Sequence, residues 1–89
     1  MKFEWDENKN KRNRQKHGVS FEEAKEVFKD EKRVEYQDLR FDYGEDRWKT
    51  IGQVVGIILS VMYTMRQTTI RLISARRASR NEREEYENQ

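Results

Sequence analysis

The sequence predicts a small α+β domain in which an antiparallel sheet is accompanied by two N-terminal helices and one C-terminal helix. Three observations lead to this prediction. The 89 residues are enough for one domain spanning 1–89. Helix-capping signals occur twice before residue 30 and once after residue 78. Between them, β-branched and aromatic residues alternate with polar ones, which is the pattern of half-buried strands.

The N-terminal segment predicts a short strand followed by a polar helix. Polar and apolar residues alternate over residues 2–5, Asp6 can cap a helix, and residues 7–16 are good helix formers before Gly18 ends them. This helix has no apolar face, which is rare in a compact domain unless the helix is exposed for a purpose. One side of it is suited to phosphate contact and carries Lys9, Asn13 and Lys16, with His17 beside them.

The other two helices are predicted by capping boxes, the first from Ser20 to Glu23 and the second from Ser79 to Glu82. The helix that starts after Ser20 has one apolar face that must pack against a core, so we interpret it as structural. That face carries Phe21, Ala24, Val27 and Phe28.

From residue 33 the pattern changes to strands joined by short turns. The predicted strands begin around Val34 and Tyr36 and then cover residues 48–53, 57–64 and 69–75. Because sequential strands joined by short turns usually pair with each other, the last of them should form an antiparallel meander. Both faces of residues 57–63 are fairly apolar, which predicts that this strand is central in the sheet.

The composition excludes several classes of function. Although 40% of the residues are charged, four Phe, two Trp and four Tyr supply the large side chains that a core needs. Cysteine is absent, which excludes disulfides and thiolate catalysis, and the single histidine argues against a conventional zinc site, so we expect no metal and no cofactor. The sequence has neither a membrane-length apolar run nor a signal peptide, and we expect a cytoplasmic protein.

The charges are segregated along the chain. Residues 1–18 carry six Lys or Arg against three acids, and residues 66–83 carry six Arg against Glu82 alone. The stretch 19–65 has ten acids against seven bases, and the last six residues hold three glutamates. This pattern predicts a basic face that attracts polyanions and an acidic region that could meet a basic partner, with plain solvation of charged surfaces as the alternative.

Two arginines interrupt the last strand pattern, since residues 70–76 read I-R-L-I-S-A-R. A strand fixes where Arg71 and Arg76 point, and a planar guanidinium matches phosphate oxygens with two hydrogen bonds. We therefore predict that they hold an anion, with RNA phosphate as the leading candidate. The alternative is that each arginine pairs with a nearby carboxylate on a solvated sheet face.

Several blocks in the right order resemble one known family, the BrnT toxins of bacterial and archaeal type II toxin-antitoxin systems. The resemblance covers nearly the whole chain, and several separate blocks are more specific than any single motif. The blocks are F-E-W-D-E-N-K at 3–9, Asn13, K-H-G-V-S-F-E-E-A at 16–24, Val27-Phe28, G-E-D-R-W at 44–48, Ile51-Gly52, Tyr63-Thr64, Arg66, I-R-L-I-S-A-R-R-A at 70–78, Glu82-Arg83 and Tyr86.

This resemblance implies a fold similar to the RelE superfamily and a ribonuclease activity that shuts down translation. It also implies neutralisation by a cognate BrnA antitoxin, which carries a ribbon-helix-helix DNA-binding domain. Operator DNA would then be contacted mainly through the antitoxin, and the resemblance implies a heterotetramer of toxin and antitoxin. The competing interpretations are a non-catalytic nucleic-acid-binding module and a partner-binding module.

Metal-independent RNA cleavage requires removal of the 2′-OH proton, stabilisation of the pentavalent phosphorane and protonation of the departing 5′-oxygen. Arginines supply the positive charge for the second requirement, and the candidates are Arg47, Arg66, Arg71 and Arg76. His17 has the side chain whose usual pKa of about 6.5 suits a general acid or base, although it could simply interact with the last carbonyls of its helix.

Five further residues are weaker candidates in the sequence. Lys16 could clamp a phosphate or donate a proton, and Lys9 and Asn13 share its helical side. Tyr63 could stack on an RNA base or act as an acid, and a buried core position is the alternative. Glu45, beside Arg47, could be a general base or form a plain surface ion pair.

Overall fold

The computed structural model describes all 89 residues, and it confirms the α+β class and the positions of the three predicted helices. The strands are β1 (Lys2–Glu4), β2 (Val34–Asp38), β3 (Arg47–Val54), β4 (Ile57–Arg66) and β5 (Thr69–Arg77). The helices are α1 (Glu7–His17), α2 (Phe21–Ala24) and α3 (Arg80–Glu87), and a 3₁₀ helix over Lys25–Lys29 extends α2.

The five strands form one sheet in the order β1-β5-β4-β3-β2. Strands β2 to β5 form the predicted antiparallel meander, and β4 is central as its two apolar faces indicated. The expectation of a wholly antiparallel sheet is wrong for β1, which pairs parallel to β5 and makes the sheet mixed. These two strands are far apart in the sequence, so no short turn between them sets their relative direction.

The apolar core lies between one face of the sheet and the α2 region. On the sheet side, β4 and β5 contribute alternate residues because successive side chains of a strand point to opposite faces. Gly52 lies where the 3₁₀ helix approaches β3, and a Cβ at this position would be 2.5 Å from Val27 Cγ2. The cluster consists of Val19, Phe21, Ala24, Val27, Leu59, Val61, Tyr63, Ile70, Leu72 and Ala75.

Helix α1 is attached by polar groups and not by an apolar face. Asn10 and Asn13 are both buried on its inner side. The Asn10 side chain accepts from the Phe21 backbone N–H (2.8 Å) and donates to Glu22 (2.8 Å). Asn13 donates to the Ala75 carbonyl (2.7 Å) and accepts from the Ala75 N–H (3.1 Å), at a point where β1 no longer covers the edge of β5.

The predicted starts of the three helices and the end of α1 are confirmed by their caps, whereas the second helix is α-helical only to Ala24 and continues as a 3₁₀ helix. Asp6 accepts from the Asn8 N–H, and Gly18 ends α1 with φ of 71°, which favours glycine. The Ser20 and Ser79 capping boxes are both present with reciprocal hydrogen bonds. None of the three helices has the length and apolar character needed to cross a membrane.

Candidate functional site

The face of the sheet opposite the core carries four arginines, and we call it the arginine face. Arg66, Arg71 and Arg76 lie opposite Thr69, Thr64 and Ser60 in the β4–β5 register, which places each pair on one side of the sheet. Thr64 and Ser60 alternate with the core residues of β4, so they point away from the core. Arg47 joins the same face because its neighbour Trp48 pairs with the core residue Tyr63.

The centre of the arginine face is a row formed by Arg47, Thr64 and Arg71 on β3, β4 and β5. Thr64 lies opposite Arg71, and its hydroxyl donates to the Asp46 carbonyl (2.6 Å) beside Arg47. Since neighbouring strands are about 4.8 Å apart, the two arginine backbones are separated by roughly 10 Å with a hydroxyl between them. Two guanidiniums at this spacing can converge on one phosphate group from opposite sides.

The central arginines are already paired with carboxylates, as the alternative reading of the sequence anticipated. Arg47 Nε lies 3.1 Å from Glu45, and Arg71 Nη1 lies 3.2 Å from Glu4. Each ion pair uses one nitrogen of its guanidinium, and the other N–H groups make no further hydrogen bond. Because a guanidinium has five N–H donors, both side chains keep donors for an incoming anion. Arg66 is exposed and forms no ion pair.

Arg76 has a different environment, because its guanidinium holds Glu82 of α3 through both terminal nitrogens at 2.7 and 3.0 Å. Glu82 also accepts from Lys49 (2.9 Å) and Ser60 (3.1 Å), and its side chain is only 7% exposed. We call Arg76, Lys49, Ser60 and Glu82 the Glu82 cluster. The sequence pattern predicted that Arg76 holds a phosphate, whereas in the structure Arg76 attaches α3 to the sheet.

The electrostatics of the Glu82 cluster favour an ionised carboxylate. Burial by itself would raise the pKa of Glu82, but the hydrogen bonds from Arg76, Lys49 and the Ser79 backbone outweigh burial and hold this pKa well below its usual range. The sequence showed Glu82 only as part of a capping box. Lys49 was missed, although it is in phase with Arg47 on alternate positions of β3 and so shares its face.

The helix α1 candidates do not lie over the central row. Asn13 is buried, and its side-chain amide is hydrogen-bonded to the backbone of Val19 and Ala75, which argues against the predicted contact with RNA. Lys9 and Lys16 are exposed on α1 and form no ion pairs.

His17 lies one helical turn beyond Asn13 on the same side of α1, along the outer edge of β5. Asn13 contacts Ala75, which is four residues past Arg71 and therefore about 13 Å farther along the strand. No hydrogen bond or ion pair joins His17 to any of the four arginines. Its catalytic role stays a prediction.

Tyr63 is a core residue and does not belong to the arginine face. Its ring packs edge-on against Phe28 with the centroids 5.2 Å apart, and its hydroxyl donates to Glu35. Burial, together with this hydrogen bond, raises the pKa of Tyr63. Tyr63 therefore occupies the core position that was the alternative prediction, and it cannot stack on a base without leaving the core.

The loop between β2 and β3, residues 39–46, borders the arginine face, and only Glu45 in it was a candidate from the sequence. Asp38 accepts from Arg40 Nε (2.9 Å) and Nη2 (3.0 Å) and from the Tyr43 hydroxyl (2.9 Å). The hydrogen bonds from Arg40 lower the pKa of Asp38, although burial opposes this shift. The Arg47 guanidinium lies 4.2 Å from the centroid of the Tyr43 ring, so the loop stacks directly against the central row.

The structure contains no group of three or more His, Cys, Asp or Glu side chains arranged to hold a metal ion. Comparison with known proteins shows a match of residues 5–82 to the family model described as the ribonuclease toxin BrnT of type II toxin-antitoxin systems. No curated protein matches the chain. The matched segment includes the whole arginine face and ends at Glu82.

Proposed function

Since the chain belongs to the BrnT family of ribonuclease toxins of type II toxin-antitoxin systems, we propose that it cleaves RNA on the arginine face without a metal ion and so inhibits translation in the cytoplasm. The observation that supports this site is the row of Arg47, Thr64 and Arg71 on three neighbouring strands, in which the two arginines are partly exposed on either side of the buried Thr64.

Arg47 and Arg71 would act on the transition state. Attack of the ribose 2′-oxygen on phosphorus forms a pentavalent phosphorane with additional negative charge on its non-bridging oxygens. Guanidiniums fixed on β3 and β5, on either side of β4, bind these oxygens, and fixed positive charge of this kind is often the largest contribution to catalysis. The phosphate would compete with Glu45 and Glu4 for the two arginines, and exposed Arg66 adds positive charge on the same face.

Proton transfer then requires a base and an acid. Glu45 contacts Arg47, and its side chain is partly exposed. When a phosphate takes Arg47, this carboxylate becomes free to accept the 2′-OH proton beside the reacting phosphorus. His17 and Lys16 were the candidates for protonating the departing 5′-oxygen, but both lie at the β5 edge away from the central row, so this step would require α1 to move towards the bound phosphate.

Cleavage of RNA in the presence of EDTA tests the proposal. We expect Arg47→Ala and Arg71→Ala each to lower the rate constant of cleavage by about 10²- to 10³-fold, the usual effect of removing one donor to a charged transition state. Arg47→Lys and Arg71→Lys should recover part of the activity, because lysine retains the charge but not the fork of N–H donors. Arg83, which is exposed on α3 and forms no ion pair, provides the control Arg83→Ala.

Two results would contradict this proposal. Wild-type cleavage rates in both alanine variants would remove the central row as the active site, and complete inhibition by EDTA would remove metal independence. His17→Ala is the separate test of the imidazole. If His17 is the general acid, its loss should lower the rate constant of cleavage by about 10²- to 10⁴-fold. If His17 only interacts with the end of its helix, the rate constant should be unchanged.

A type II system pairs the toxin with a protein antitoxin. We propose that this partner is a BrnA-type protein with a ribbon-helix-helix domain, that two copies of each chain form a heterotetramer, and that operator DNA is bound through the antitoxin. Co-expression with the neighbouring reading frame, followed by mass measurement by light scattering, tests the stoichiometry. Operator binding by the toxin alone would contradict the assignment of DNA contact to the antitoxin.

The ion pairs of Arg47 and Arg71 favour one alternative, a module that binds nucleic acid without cutting it. Paired arginines can exchange a carboxylate for a phosphate while no group transfers a proton. This alternative predicts salt-sensitive RNA binding with no shortening of the RNA.

A further inference from the structure

We propose that the loop of residues 39–46 is a platform for a nucleobase, on which Phe41 stacks against a base of single-stranded RNA next to the phosphate held by the arginine face. This inference rests on the proposed function only in taking RNA as the ligand of that face. It assigns base recognition to a loop that makes no contribution to the apolar core.

Phe41 is the most accessible aromatic ring of the chain that lies beside the arginines. Its residue surface is 65% exposed, although phenylalanine is usually buried. The ring contacts Tyr43 edge-on at a centroid distance of 5.8 Å, and the Arg40 guanidinium lies 5.7 Å from its centroid. These contacts leave much of the ring open to solvent, which is the arrangement that single-strand binding proteins use to stack bases.

The loop is held in place before any ligand binds. The Asp38 carboxylate, itself 3% exposed, accepts from the Arg40 side chain, from the Arg40 backbone N–H (3.1 Å) and from the Tyr43 hydroxyl. Arg40 and Tyr43 both contact the Phe41 ring, so Asp38 fixes the position of the ring through both of them. A fixed ring loses little conformational entropy on binding.

The platform is continuous with the phosphate site. Arg40, Phe41, Tyr43 and Arg47 form a chain of cation–ring and ring–ring contacts that runs from the loop to the central row. A phosphate on Arg47 therefore places the neighbouring nucleotide over the loop. Stacking of that nucleotide on Phe41 extends the same series of contacts by one ring.

The charges of the loop fit a base better than a second phosphate. Asp42 and Asp46 are exposed and take part in no ion pair, so they repel phosphate. Carboxylates accept hydrogen bonds from the amino groups of cytosine, adenine or guanine, whereas uracil has no amino group. The loop should therefore favour an amino-bearing base at the stacked position.

Binding to a mixed-sequence 2′-O-methyl RNA decamer, which lacks the nucleophilic hydroxyl, tests the platform without cleavage. We expect Phe41→Ala to weaken binding by about 5- to 150-fold, the range for loss of one stacked base, and Phe41→Tyr to bind as the wild type does. Leu39→Ala is the matched control, because Leu39 is 80% exposed in the same loop but has no ring. Thermal unfolding of each variant checks that it is folded.

A series of decamers with one abasic nucleotide separates the loss of base stacking from other effects of the Phe41→Ala substitution on binding. With the abasic nucleotide at the stacked position, the wild type and Phe41→Ala should bind equally, because there is no base left to stack. Equal affinity of both proteins for the complete decamer would overturn the inference. So would a Phe41→Ala variant that binds the decamer normally but binds the antitoxin more weakly, since the loop would then be a protein contact.

The outcomes distinguish this inference from the proposed function. If neither the wild type nor any variant cuts RNA but the abasic series shows the stacked position, the ribonuclease proposal fails and the platform is supported. If the arginine variants lose cleavage while Phe41→Ala binds and cuts as the wild type does, the ribonuclease proposal is supported and the platform is overturned.

Discussion

Replacing Glu82 by glutamine tests how α3 is attached to the arginine face. Glu82 is the only carboxylate in contact with Arg76, Lys49 and Ser60, and it also accepts from the Ser79 backbone in the capping box (2.8 Å). Glu82→Gln keeps the shape and one acceptor oxygen. The substitution removes the negative charge and places an NH₂ group beside two cations, Arg76 and Lys49.

The size of the effect follows from burial. Removing one partner of a buried ion pair typically costs about 3–5 kcal/mol, because the remaining charge is left without compensation. Arg76 is 40% exposed and can recover some hydration, whereas Lys49 at 12% cannot, so we reduce the expectation to about 2–3 kcal/mol. In a domain of this size, such a loss lowers the melting temperature by about 10–20 °C.

Thermal unfolding at pH 7, followed by circular dichroism, measures this difference. Glu84→Gln is the matched control on the same helix, since Glu84 is 58% exposed and its ion pair with Arg80 is 3.5 Å long. We expect the control to melt within about 2 °C of the wild type. If Glu82→Gln melts as the control does, the Glu82 cluster does not hold α3 and this reasoning is refuted.

The same pair of proteins has an expected pH dependence. The pKa of Glu82 is lowered in the folded state, so its contribution to stability is fully present above the usual glutamate pKa of about 4.3. As the pH falls below that value, the unfolded state takes up a proton that the folded state does not, and the contribution is lost. The difference in melting temperature between the wild type and Glu82→Gln should therefore shrink below pH 4. A constant difference down to pH 3 would contradict the direction of the shift.

Three further substitutions test the attachment of α1, the packing of β3 and the β3–β4 turn. Asn13→Asp should lower the free energy of unfolding in urea by about 2–4 kcal/mol, because a carboxylate would face the Ala75 carbonyl to which the amide now donates. A variant as stable as the wild type would show that this contact is replaceable. Gly52→Ala should lower the free energy of unfolding by about 1–3 kcal/mol, since its Cβ would overlap with Val27. An unchanged urea midpoint would mean that the 3₁₀ helix moves away from β3 at little cost in free energy. Val55→Asn should raise the melting temperature, because Val55 is exposed with φ of 47° and asparagine tolerates this backbone conformation far better than a β-branched residue does. A lower melting temperature would contradict this prediction.

Most elements of the fold could be predicted from the sequence because their signals are local. A capping box such as Ser20 to Glu23 is read within four residues, and the alternation in β4 is read within the strand itself. The common face of the arginines was not local in this sense: Arg71 and Arg76 are five residues apart, so strict alternation would place them on opposite faces of the sheet. The irregularity in the β4–β5 pairing at Met62 and Tyr63 brings both to the arginine face.

The partners of the candidate residues were not predictable in the same way. Asn13 meets Ala75 across 62 residues, and Lys49 meets Glu82 across 33. A polar residue such as Asn13, on a helix without an apolar face, is predicted to be exposed. The sequence does not show that the free edge of a strand will cover it. For the same reason, the sequence is equally consistent with Arg76 as a ligand for phosphate and with Arg76 as a partner for a buried carboxylate.

The sequence by itself determined the helices and strands, the antiparallel meander and the family, because each depends on contacts between near neighbours or on ordered blocks of residues. Only the tertiary structure decided that β1 joins β5 in parallel, that Asn13 and Tyr63 face inward, and that Arg76 is occupied by Glu82. The physical reason is that these outcomes depend on which distant groups share a desolvated space, where an unpaired polar atom is costly and its partner must come from elsewhere in the chain.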